Sequence, residues 1–177
     1  MAQAKVYSPV IPFCAVMFRK NELRETALDF LKNELGEIAK ISDEVNFSAE
    51  TDYYDSEMGE NIKKIYAVFT NPMNRENLAQ LKCKTNAFEQ NSAINGKRQI
   101  NLDPGYITKD KFVLASAKDF SHRIAIGNGI FAETTLNFST GGKIKRFSWT
   151  YDDYLIPQVQ EILILGRNLL SISKKEI

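Results

Sequence analysis

Apolar residues in this chain follow three different rhythms, and each predicts a different kind of element. Residues 10–18, Val-Ile-Pro-Phe-Cys-Ala-Val-Met-Phe, are almost continuously apolar, as in a strand covered on both faces. Residues 62–70, Ile-Lys-Lys-Ile-Tyr-Ala-Val-Phe-Thr, read the same way, so the two strands are expected side by side in a sheet interior. Between them Leu23, Ala27, Phe30, Leu31, Leu35 and Ile38 recur at helical spacing, which predicts an amphipathic helix ending near Gly36. Asn21 is its expected cap, with Glu22 and Glu25 at its positive end. A mostly buried helix is expected over 155–172, with Pro157 in its first turn.

The remaining segments alternate or break. Val45 and Phe47 mark a short strand before the polar stretch 50–61. Asn71-Pro72 opens a helix over much of 73–94, with an interruption near Lys84-Thr85-Asn86. A strand over 98–102 is expected to stop at the turn Asp103-Pro104-Gly105. Thr108 would then cap a short helix reaching Ala117. Strands near 122–126 and 130–138 flank Gly127-Asn128-Gly129 as a hairpin, and a further strand ends near Trp149. The order defines a single-domain α+β protein with a mainly antiparallel sheet. Its β-α-β-β-α-β first half is ferredoxin-like, and a C-terminal β-meander and closing helix extend it.

Composition narrows the function classes. The 177 residues hold 23 basic and 22 acidic side chains, a net charge of +1, which speaks against a dedicated nucleic-acid binder. No apolar run reaches the roughly 18 to 20 residues that span a bilayer, and the start is too polar before Pro9 for a secretory signal. A cytoplasmic protein without membrane attachment is expected. Cys14 and Cys83 sit in apolar-periodic segments and are expected to be buried, reduced thiols. With one histidine and two distant cysteines, a zinc site of the Cys/His kind is not expected. No cofactor is indicated by a motif, although clustered carboxylates could take a divalent cation. Oligomeric state is left open.

Three polar clusters could carry chemistry. Residues 51–59 bring Asp52, Tyr54, Asp55 and Glu57 together, either to position protons or as a solvated acidic loop. Asn101 and Asp103 either order the turn at Pro104 or face a ligand. Lys118-Asp119-Phe120-Ser121-His122-Arg123 gathers the sole histidine with two cations, as in an anion pocket or an acid–base site. In the hairpin, Ile124 would face Ala132 and Arg123 would face Glu133, with Ile124, Ile126, Ile130, Ala132, Leu136 and Phe138 on the core side. The Arg123–Glu133 pair is then either an ordinary cross-strand ion pair or a substrate-orienting one. Candidate catalytic residues are therefore His122, Glu57, Asp52 and Tyr54. Candidate ligand-binding residues are Lys118, Arg123, Glu133, Asn101 and Asp103.

Several familiar motifs fail. Gly127-Asn128-Gly129 leads into a strand, not the helix of a dinucleotide fingerprint. Gly141-Gly142-Lys143 has Asn137 and Ile144 where a phosphate loop needs Gly and Ser or Thr. Ser116-Ala117-Lys118 echoes a guanine-contacting tripeptide, but no phosphate loop accompanies it. No serine nucleophile elbow is present.

Long blocks carry a resemblance: Thr51-Asp52-Tyr53-Tyr54 through Glu57-Met58-Gly59, residues 101–106, residues 114–124, and Trp149-Thr150-Tyr151 with Asp153-Tyr154. With Lys82, Thr85-Asn86 and Glu89, they resemble the bacterial family catalogued as domain of unknown function 4416 over almost the whole chain. Ala125 stands where the family pattern favours tyrosine, and Asp152 where it favours proline. The resemblance implies no defined activity, but the blocks hold more Asp, Glu, Lys, His, Arg and Tyr than a core or a turn requires. Two main functions follow as expectations. One is a small enzyme or pocket protein for an anionic small molecule, such as a nucleotide or phosphorylated metabolite. The other is a non-catalytic interaction module. RNA binding through the sheet is the weaker third, because its aromatic pattern is not visible in 10–18 or 62–70.

Overall fold

The computed structural model describes residues 6–49 and 58–172, with Met1 and Gln3. Strand β1 (Ile11–Phe18) is buried along its whole length and leads into helix α1 (Asn21–Leu35). Lys20, not Asn21, holds the cap position and makes no side-chain capping bond. Two short strands follow, β2 (Ile38–Ile41) and β3 (Val45–Asn46), then β4 (Lys63–Phe69). Ile38 thus begins a strand instead of closing α1, because Gly36, at φ 85°, ends the helix. Asn74 receives the Glu76 N–H at the start of a 3-10 turn, and α2 (Leu78–Asn91) continues without interruption through Lys84-Thr85-Asn86.

The next two strands overturn two expectations. Strand β5 (Ile100–Ile107) runs straight through Asp103-Pro104-Gly105, and β6 (Lys111–Ser116) replaces the short helix expected after Thr108. The Thr108 hydroxyl instead closes the tight β5–β6 turn, accepting the N–H groups of Asp110 and Lys111 at 3.1 and 2.9 Å. Pro104 is tolerated because the β5–β6 ladder ends at Gly105 and Leu114, so its missing N–H falls where the strands part. A Cβ on Gly105 would collide with the Val113 carbonyl, so glycine permits the close approach there. The hairpin of β7 (Ile124–Gly127) and β8 (Ile130–Phe138) follows, then β9 (Ile144–Arg146) and α3 (Pro157–Ile172).

Among the described residues nine strands form one antiparallel sheet, with the path β2-β4-β1-β5-β6-β8-β7. Strands β1 and β4 are interior neighbours, as their nearly continuous burial requires. Helices α1 and α2 cover one face, where Cys14, Val16, Phe18, Ile65, Ala67, Phe69, Ile100 and Leu102 form an apolar core. Helix α3 covers the other, over Ile11, Phe13, Val68, Ile107, Phe112, Leu136 and Phe138.

Strict alternation in β8 is broken at Thr135, where β6 and β8 shift register. Ile130 and Ala132 therefore pack with α2, whereas Leu136 and Phe138 pack under α3. Ile124 does face Ala132, but β7 is the sheet edge, and Ile124 and Ile126 are 74% and 38% exposed instead of core-facing. Cys14 is buried, whereas Cys83 is only half-buried, and both are free thiols. No helix among the described residues is long and apolar enough to cross a membrane.

Candidate functional site

Partners in adjacent strands share a face of the sheet, so the register alone assembles the site. On the α3 side one row runs Val68–Phe13–Gly105–Leu114–Glu133. The next runs Tyr66–Ala15–Asp103, and the next Lys64–Met17–Asn101. This face is thus apolar beneath α3 and polar toward the end where β1 finishes and β4 and β5 begin. Three connected groups of side chains make up the polar belt.

The first is at β8 and the segment before β7. Arg123 Nε donates to Glu133 Oε2 at 2.7 Å, and the same oxygen lies 3.1 Å from His122 Nε2. One Arg123 terminal nitrogen, Nη1, also donates to Ser116 Oγ at 2.8 Å and to the Lys118 carbonyl at 3.0 Å. Thr135 donates to the other Glu133 oxygen at 3.3 Å. The Glu133 side chain is 3% exposed, that of Arg123 7% and that of His122 20%. The imidazole lies within 12° of parallel to Trp149, at 4.9 Å, and Trp149 stacks in turn on Phe147 at 4.8 Å. The bulge at Thr135 explains how Trp149 is held. Its indole N–H takes the Thr134 carbonyl at 3.0 Å, and the Thr150 hydroxyl takes that of Thr135 at 2.6 Å, where the ladder is disturbed.

The second group sits at the β5 edge that β6 leaves. Glu89 accepts the Leu102 N–H at 2.8 Å, and the Lys82 ammonium donates to the Leu102 carbonyl at 2.6 Å. Two side chains of α2 thereby replace the absent strand partner. Lys82 also lies 3.5 Å from Asp103, which accepts from Asn101 at 2.8 Å, and Arg98 donates to Asn101. Burial pushes the Glu89 carboxyl above its usual range, against the pull of Lys82, the Leu102 N–H and Arg98. Asp103 therefore does not order a turn.

The third group was not legible as a site in the sequence. Asp153, in the 3-10 turn Asp152–Leu155, accepts on one oxygen from both the Lys64 ammonium, at 2.6 Å, and the Tyr66 hydroxyl, at 2.7 Å. The ammonium lies 4.8, 5.3 and 5.1 Å from the ring centres of Phe47, Tyr66 and Tyr154. Its visible signals are the lysine inside a strand otherwise read as buried and the presence of Asp153-Tyr154 among the blocks that carry the family resemblance. Tyr154 is fully enclosed, and burial, then the charges of Asp153 and Asp103, push its phenol well above the usual range.

Of the residues singled out from the sequence, His122, Arg123 and Glu133 come together, Lys118 joins them through its backbone carbonyl, and Asn101 and Asp103 lie on the same face. The Arg123–Glu133 pairing follows the expected hairpin register. The His122 contact with the same carboxylate does not, since that register continued by one pair would set His122 opposite Thr134. Asp52, Tyr54 and Glu57 lie outside the described residues. Phe47 and Met58, which flank their segment, pack with Met17, whose strand partners are Lys64 and Asn101.

Fold and site together define a mixed α/β protein with ionisable side chains from several strands gathered on half of one sheet face. The family model described as "Domain of unknown function (DUF4416)" matches residues 8–169, and the chain belongs to that family. No curated protein and no solved structure matches it.

Proposed function

We propose that the chain is a small cytosolic enzyme, or a pocket protein close to one, that binds an anionic small molecule at the polar belt. The observation that carries this reading is the setting of His122. Buried Glu133 and the Trp149 ring fix the imidazole, while Nδ1 has no hydrogen-bond partner among the described residues. With the proton on Nε2 and directed at Glu133, Nδ1 is left as an acceptor, the arrangement of an oriented general base. Once protonated, the same nitrogen donates to an anion. Arg123, held by the same Glu133 oxygen, adds Nη2, which is likewise without a partner among the described residues.

A thermal-shift screen with nucleotides, sugar phosphates and inorganic phosphate tests this. A ligand at one hundred times its Kd stabilises the fold by about 2.7 kcal/mol, which shifts the melting temperature by several degrees. The shift should vanish in His122→Gln and Arg123→Gln. A screen in which no phosphorylated compound stabilises the wild type sinks the proposal.

The interaction-module reading rests on a different region. Edge strand β7 exposes Ile124 and Ile126, and Ile126 with Tyr106, Leu78 and Arg75 lines a groove of about 380 Å³ on the opposite face. Ile124→Lys with Ile126→Thr should abolish binding to a partner under that reading and leave ligand stabilisation intact under the first.

A further inference from the structure

We infer that β7 is an interface strand, which pairs antiparallel with β7 of a second copy of this chain and joins the two sheets edge to edge. The inference rests on the surface named in the interaction reading above and gives it a partner. It does not depend on the anion reading.

The two edges of the sheet are finished differently. Strand β2 closes one edge and is protected in the ways natural edge strands usually are. Ile38 and Ile41 pack into the α1 core, and Ala39 packs into the α3 core. Lys40 places a charge on this edge and pairs with Glu161 of α3 at 3.2 Å. The Asp43 N–H, just past the strand, donates to Gln158 at 3.1 Å. Strand β7 closes the other edge without any such cover. All four of its residues are exposed, and among the described residues no strand lies on its outer side. From Ile124 to Ala132 the chain holds no charged residue, and Arg123, just before it, is neutralised by Glu133. The register shift after Ala125 shortens this edge without charging it. Ile124 is 74% exposed, and Ile126 leads into the groove that Tyr7, Leu78 and Tyr106 also line. Scattered exposed apolar side chains are ordinary, but these adjoin one another along an open strand edge.

The chemistry of the strand selects the partner. In a two-fold contact each residue meets the same patch on the other copy, so a charged edge repels itself and an uncharged one does not. An acidic or basic peptide finds no complementary charge on residues 124–132. The two charges that line the groove, Arg75 and Glu76, are of opposite sign and favour neither. Antiparallel pairing centred on Ala125 sets Ile124 of one copy opposite Ile126 of the other, and the reverse. Four isoleucines then meet at the seam, and the open backbone groups of the two strands bond each other. Four residues and a groove mouth make a contact at or below the roughly 1,200 Å² of a small stable interface. A weak dimer is therefore expected, with a dissociation constant between about 1 μM and 1 mM.

The experiment is sedimentation equilibrium up to about 1 mM on the wild type, Ile124→Lys and Ile124→Glu. The wild type should pass from monomer to dimer as concentration rises. Each variant alone should stay monomeric, because like charges are then brought together, and an equimolar mixture of the two should dimerise again. Most of Ile124 lies in solvent, so both variants should melt with the wild type in dilute solution. A wild type that remains monomeric overturns the inference and leaves the interaction reading with a different chain as its partner. Dimerisation that persists in both variants alone overturns it as well, because the copies then meet elsewhere. So does a melting temperature several degrees lower in both variants in dilute solution, since Ile124 then serves its own fold.

Discussion

The two faces of the three-strand unit β4-β1-β5 are built from the same segments and differ in almost every respect. On the α1 and α2 side, Ile65, Val16 and Leu102 form one cross-strand row and Ala67, Cys14 and Pro104 the next, all apolar. One residue along, on the α3 side, the rows read Lys64–Met17–Asn101 and Tyr66–Ala15–Asp103. Burial is similar, since Lys64, Tyr66 and Asn101 are at most 4% exposed. The first face follows from the hydrophobic effect alone. The second carries buried charge, which stability does not require, because a well-packed apolar pair in place of a buried ion pair is often neutral or better. That excess is the argument for a function on this face.

Removing charge from the polar face one partner at a time should have the largest effect. Lys64→Met leaves Asp153 as an unpaired buried carboxylate and should cost about 3–5 kcal/mol in urea unfolding. Ile65→Val, one residue away on the apolar face, should cost only about 0.5–1.5 kcal/mol. The double variant Lys64→Met with Asp153→Leu should recover most of the loss. If it does not, the pair stabilises the fold in its own right, and the excess-charge argument weakens.

Glu89 sits where the two faces meet, at the β5 edge. Glu89→Leu strands the buried Leu102 N–H and should cost about 1–3 kcal/mol. Glu89→Gln keeps an accepting oxygen and should cost less. The pH dependence sharpens this. The folded-state carboxyl is raised by burial, so the native state binds its proton more readily than the unfolded chain. Its contribution to stability is fully present below the usual carboxyl value of about 4.3, and it is lost as pH rises through the folded value. Glu89→Gln should flatten that part of the stability–pH curve, and an unchanged slope would assign it to another group.

Much of this contrast was readable in the sequence, but unevenly. Continuous apolar runs located β1 and β4 as interior neighbours, and helical periodicity located α1 and α3. Asp103-Pro104-Gly105 misled, because these residues have the chemistry of a turn when read locally. Only the tertiary arrangement shows that the Pro104 nitrogen falls where β6 has departed and that the glycine permits a close approach. Thr108 misled for a related reason, since one hydroxyl can cap a helix or close a hairpin. The Arg123–Glu133 pair followed from hairpin register, a short-range property. Lys64 and Asp153 are 89 residues apart in the chain, and no local pattern joins them. The bulge at Thr135 likewise has no local signature, yet it moves Leu136 and Phe138 under α3 and leaves Glu133 in the polar belt.

The smallest expected effect concerns Pro104, whose backbone marks where β5 leaves β6. In Pro104→Ala the unfolded chain gains freedom, which by itself costs the fold about 0.4–1 kcal/mol. The new N–H points in the same direction as that of Leu102, two residues earlier, because alternate residues along a strand direct their amides to the same edge. It can therefore extend the β5–β6 ladder toward Ala115, one pair beyond Gly105 and Leu114. A ladder bond contributes about 0.5–1.5 kcal/mol, so if it forms it offsets the entropic loss and the net change in urea unfolding is within about 0.5 kcal/mol; if it does not form, stability falls by about 0.4–1 kcal/mol. Hydrogen exchange separates the two terms. If the strands can close, the residue-104 amide will be protected nearly as well as its neighbours in β5, and the gap beside Asp103 will narrow. If the gap is held open by Lys82 and Glu89 on Leu102, the amide will exchange rapidly and stability will fall by the full entropic amount. The second outcome is the one expected, because both Leu102 groups are already taken by charged side chains. Strong protection at residue 104 would show that proline alone keeps the polar edge apart from β6.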